Sequence, residues 1–233
     1  MVFCCFSSEP PEKSSWKEGS AKAKWDNRLI GMAGNPNQFD TNLMDAPCKA
    51  PLPCCCTFLL TPCCGIPTCY WRKKALEQYG NGMEDYMCTQ GMEYDCCCFK
   101  PGRMGDKGNV VCLLLEGCCC SVRGMSYTRL YIMDNQNIRP DPVDYQIIAF
   151  SNCMQILACI CHIASCIVPA LDNLADLISC IADMITLTVT GCMGAQISLQ
   201  IENDQKNVGQ VQVAVPVPTT EGGAPAVSAK MER

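Results

Sequence analysis

The chain has 233 residues, a formal net charge of −5 and only 18% charged residues. That length accommodates one sizeable domain with tails, and the acidic balance excludes a protein built to embrace nucleic acid. Cysteine is the outlier, with 23 residues.

So many cysteines would suit a secreted disulfide scaffold. The first residues, Met1 to Pro11, show neither the basic nor the apolar region of a signal peptide. No asparagine stands in an N-glycosylation sequon, and an odd number of thiols cannot pair completely. The expectation is a reducing, intracellular compartment with thiols unpaired or acylated. Zinc sites favour C-x-x-C, which brings two thiolates to one ion from a tight turn. That spacing is absent; the cysteines cluster as triplets at 54–56, 96–98 and 118–120, and His162 is the sole histidine. No cofactor is expected, with a zinc or copper thiolate site built from distant cysteines left open.

Residues 1–43 read as a disordered N-terminal arm, polar and without apolar periodicity. Lysines around Trp16 and Trp25 suit a membrane surface, and Cys4 and Cys5 are candidates for S-acylation (palmitoylation). Val2 excludes myristoylation. Pro51 to Trp71 carries no charge but four prolines, so an irregular loop is expected. Arg72, Lys73 and Lys74 follow, where a membrane-adjacent segment places cations. A short helix is predicted from about Pro67 to Tyr79, stopped by Gly80. Residues 83–107 read as loop and turn, and 109–135 as helix weakened by Gly117 and Gly124.

Asp141-Pro142-Val143-Asp144 orders an N-cap acceptor, a first-turn proline and an N3 acid, the strongest helix start in the chain. Tyr145 to Leu171 then runs 27 residues without a formal charge. As a helix it is roughly 40 Å long, enough to cross a hydrocarbon core of about 30 Å. From 140 to 205 there is no Lys or Arg; only acids interrupt. Pro169 and Asp172-Asn173 offer a break, so helices 142–168 and 174–199 form an antiparallel hairpin. Its flanking cations, Arg139 and Lys206, place both termini in the cytoplasm. Each helix carries a polar stripe at helical spacing: Asn152, Gln155 and His162 on the first, Asp176 and Asp183 on the second. Facing stripes would pair His162 with Asp176 and Gln155 with Asp183. An ionised Asp183 near mid-bilayer costs about 2.5–3.5 kcal/mol, which leaves a soluble bundle with a wet acidic stripe as the competing arrangement. Residues 204–233 read as a disordered tail.

No P-loop, G-x-S-x-G or H-E-x-x-H occurs. A cysteine beside the only histidine is expected by chance among 23, so no enzyme is read here.

Several stretches between Cys54 and Gln196 resemble an uncharacterised cysteine-rich family of algae and other protists. They include Cys63-Cys64 to Trp71-Arg72-Lys73, Asp95-Cys96-Cys97-Cys98, Glu116-Gly117-Cys118-Cys119-Cys120, Arg129 to Asp134, Asn152-Cys153-Met154-Gln155 and Gly191-Cys192-Met193. This resemblance implies no activity. The clusters are also loosely similar to placenta-specific-8 type cysteine-rich membrane proteins, some linked to metal-ion tolerance and organ size, although the Cys-Pro-Cys hallmark is absent.

The chain is therefore expected to be mainly α, with about four helices, an irregular cysteine-rich half within a 44–203 domain, and disordered ends. The function read from it is a membrane-associated structural or scaffold protein. Its partners would be membrane lipid and other proteins or itself. The alternative is a membrane protein that handles metal ions or protons through thiolates and helix acids.

Overall fold

The computed structural model describes residues 21–91 and 107–214, with Ser7 and Glu18 besides. Side-chain placement is described for most of these, up to residue 207. Cys4, Cys5 and the Cys96–Cys98 triplet lie outside the described residues. The described chain is mainly helical: α1 Ala21–Met32, α2 Ala46–Lys49, α3 Pro51–Cys64, α4 Ile66–Tyr79, α5 Val110–Cys119, α6 Ser121–Gln136, α7 Pro142–Ile167 and α8 Asp172–Ala214. Short 3-10 turns join some of them, and the only extended pairing among the described residues is one bridge between Asn37 and Ile138.

Among the described residues eight helices stand where about four are expected, and the differences have local causes. Pro51 and Pro53 fall in the first turn of α3 and Pro67 in that of α4. A first-turn N–H has no helical partner, so proline costs nothing there. Only Pro62 sits inside a helix. The expected loop is thus two helices, divided at Gly65 with φ 58°, where a side chain would run into the Gly117 carbonyl. The helix expected over 109–135 divides at Cys120, and the chain turns by 120°. The turn lets Leu113 and Glu116 face Leu76, Tyr86 and Arg72, while α6 buries Met125, Ile132 and Met133 in the main core.

Residues 1–43, read as an arm, contain α1. Leu29, Met32, Phe39 and Leu43 enter the main core against α6 and α8. Long-range partners hold this segment where its own periodicity does not: Trp25 packs edge-on against Tyr127, and Arg28 pairs with Asp134. At the other end α8 outruns the expected stop at 199, because polar residues beyond Ile201 tie back to the body. Tyr79 Oη donates to Asp204 Oδ2 at 2.6 Å, Gln205 to Gln78 at 3.1 Å and Asn203 to Asp40 at 3.1 Å.

Candidate functional site

The hairpin α7–α8 is built upward from its cap. Asp141 Oδ1 accepts the Val143 and Asp144 N–H groups, with Pro142 in the first turn. Asp144, read from sequence as an acid favoured by the helix dipole, is instead a buried anchor. Its carboxylate accepts from Leu43 N (2.7 Å), Arg129 (2.7 Å) and Gln196 Nε2 (2.8 Å). Burial lowers the Arg129 pKa while Asp144 opposes the shift, and Arg129 also lies 5.0 Å from the Phe39 ring centre.

Beyond this base the two helices meet along small residues. Ser151, Ala158 and Ser165 are buried on α7, and Ala175, Ala182 and Val189 on α8, each set stepping by seven. That spacing keeps one narrow stripe facing the partner helix, and small side chains let the two backbones approach. Polar groups bridge the two helices along the edge of this seam, where Asp183 and His162 stay exposed. Gln155 Nε2 donates to Asp183 Oδ1 (3.1 Å) and Thr186 Oγ1 (2.8 Å), Ser151 Oγ lies 3.2 Å from Thr186 Oγ1, and His162 Nε2 lies 2.6 Å from Ser179 Oγ.

The outward faces are the reverse of a water-soluble pair. Ile156, Ile160, Ile163 and Ile167 of α7, and Leu174, Leu177, Ile181 and Met184 of α8, are all exposed, Ile167 by 78%. Both helices are long and apolar enough to cross a membrane.

Of the residues singled out by sequence, Gln155 and Asp183 are brought together. His162 meets Ser179 instead of Asp176, which stays exposed. Asn152 is exposed and turns away from the seam, toward a cavity shared with Trp25 and Leu29. Among the described residues no group of three or more His, Cys, Asp or Glu is placed to hold a metal ion. Many described cysteines, Cys55, Cys56, Cys119, Cys153 and Cys159 among them, are exposed thiols outside any disulfide.

Sequence reasoning missed a second buried ion pair. Arg72 and Glu116 meet at 2.7 Å with side chains almost wholly buried, and the Glu116 carboxylate also accepts from Tyr86 Oη (2.9 Å) and Thr89 N (2.9 Å). The available signal was Glu116 standing alone among apolar residues; its partner, 44 positions away, carries no local mark. Burial and then Glu116 raise the Tyr86 hydroxyl pKa, and they push the neighbouring Cys88 thiol up to about 11. A thiol so held stays protonated at neutral pH and is a poor nucleophile or metal ligand.

The chain matches no protein-family model, no curated protein and no solved structure.

Proposed function

We propose that this chain is a cysteine-rich structural or scaffold protein anchored in a membrane by the α7–α8 hairpin. The observation that carries the reading is the distribution of side chains on the hairpin: small residues fill the seam, Gln155 ties Asp183 and Thr186 to α7 across its edge, and large apolar side chains face outward. Exposing a contiguous apolar surface to water is costly, whereas in lipid the same surface is solvated and the internal hydrogen bonds are what insertion requires. Asp183 enters with the Gln155 amide already bound to it. The flanking cations Arg139 and Lys206 put both hairpin ends on the cytoplasmic side. Acyl chains on Cys4 and Cys5 would add a second anchor. Kinship with the cysteine-rich algal and protist family belongs to the same proposal.

Alkaline carbonate extraction of membranes from cells expressing the full chain tests it. Protein staying in the pellet, in wild type and in Cys4→Ser/Cys5→Ser alike, is the expected result. Complete release of both would remove the hairpin anchor; release of the double variant alone would assign the anchoring to acyl chains.

A further inference from the structure

The place where the hairpin leaves the body is marked by cations on three helices. Ser126 of α6 bonds the sulfur of Met193 at 3.8 Å, which fixes a height on α8. Lys24 precedes Trp25, whose ring packs on Tyr127, one residue from Ser126, and Arg123 lies one turn before Tyr127. Helix α4 runs alongside α6 in the same direction: Thr68 Oγ1 donates to Ser121 O, and Gly80 abuts the Tyr131 hydroxyl. That alignment brings Lys73 and Lys74 to the level of Lys24 and Arg123. From Met193 to the hairpin tip at Asp172 is 21 residues, about 31 Å of helix, which matches a hydrocarbon core of about 30 Å.

Helix α5 crosses the level of this belt: Leu113 packs with Leu76 and Glu116 pairs with Arg72, while Gly117 abuts Cys69, four residues nearer the tip than Lys73. Leu113, Glu116 and Gly117 are buried against the body, and the opposite face presents Leu114, Leu115, Cys118 and Cys119 without a charge. The 120° turn into α6 inclines α5 across the axis of α6 rather than along it.

We propose that the near surface of the bilayer runs through the cationic belt, and that α5 dips its Leu114–Cys119 face into the near leaflet as a third contact with lipid. This rests on the hairpin reading and adds to it a depth and a second surface. The occupant is an anionic bilayer surface, on two grounds. Lys24, Lys73, Lys74 and Arg123 complement lipid phosphates, and lysine and arginine stems reach along apolar surface to that level. The α5 face is also continuous in height with the point where the apolar hairpin emerges.

The test places a photo-crosslinking benzoylphenylalanine at Leu114, Ile160 or Asn135 in the full chain, reconstituted in phosphatidylcholine vesicles containing phosphatidylserine, and reads adducts by mass spectrometry. All three positions are exposed, so folding is spared. Lipid adducts are expected at 114 and 160, with at least a tenfold loss at 135. Position 114 decides this proposal and position 160 decides the hairpin. Lipid at 160 but none at 114 overturns the α5 contact and leaves the hairpin standing. An adduct at 114 to a second protein chain, in place of lipid, also overturns it and marks α5 as a contact between chains.

Discussion

Gly194 of α8 lies so close to Thr57 of α3 that a methyl group on its Cα would sit 2.8 Å from the Thr57 Cβ and nearer still to the hydroxyl. The approach is locked on the other side, since Trp71 Nε1 donates to Thr57 Oγ1 at 3.1 Å. Thr190, Gly194 and Ser198 are all buried and step by four, so one small-residue face of α8 receives α3. Gly194→Ala should therefore destabilise the fold by about 1–3 kcal/mol through overpacking, even though alanine is the better helix former by about 1 kcal/mol. Denaturant unfolding in detergent measures it. A more stable Gly194→Ala protein would show that α3 and α8 part without cost.

The Arg72–Glu116 pair makes a different kind of prediction. Removing only the acid leaves a guanidinium buried without its anion, and the Nε and one terminal nitrogen of Arg72 already lack partners. Glu116→Gln should cost about 3–5 kcal/mol, whereas replacing both residues with apolar ones of similar volume should cost much less. Comparing unfolding free energies of Glu116→Gln, Arg72→Met and the double variant Arg72→Met/Glu116→Leu tests this; purely additive losses would mean that the pair is not energetically coupled.

These two relationships mark where sequence stops being informative. The hairpin was legible because its signals are local: Asp141 caps a helix four residues before the apolar run begins at Tyr145, and the absence of cations over 66 positions needs no partner to be noticed. The Gln155–Asp183 contact followed from two stripes at helical spacing joined by one break. The division of 51–79 into two helices was hidden because proline breaks a helix interior yet fits a first turn, and composition does not show which turn each proline occupies. The packing of α1 and the pairing of Arg72 with Glu116 depend on residues 44 to over 100 positions apart, for which one sequence offers no register.

Alkaline pH should loosen the body near Glu116. The Cys88 thiol is raised from 9.0 to about 11, first by burial and then by Glu116. A group that is a weaker acid when folded stabilises the fold while protonated. That contribution is whole below pH 9.0, the unfolded value, and is lost as pH rises through about 11. Tyr86 is shifted in the same direction for the same reasons. The unfolding midpoint should hold up to about pH 9 and then fall, and Cys88→Ala should flatten part of that fall. An identical pH profile in the variant would remove Cys88 as a contributor.

The outer face of α7 separates lipid from water most directly. Ile160 is 56% exposed and stands outside the buried stripe of Ser151, Ala158 and Ser165. If that face meets solvent water, Ile160→Arg is an ordinary surface change worth within about 0.5 kcal/mol, and the variant folds and distributes as wild type does. If it meets hydrocarbon, an arginine near the middle of the span costs about 2.5–3.5 kcal/mol on insertion. Retention in the carbonate-resistant pellet should then fall several-fold or more, while Asp176→Arg, one turn from the tip, loses far less because its side chain reaches the far headgroups. Equal retention of wild type and Ile160→Arg would place the isoleucine face in water, and the hairpin would have to bury it against protein instead.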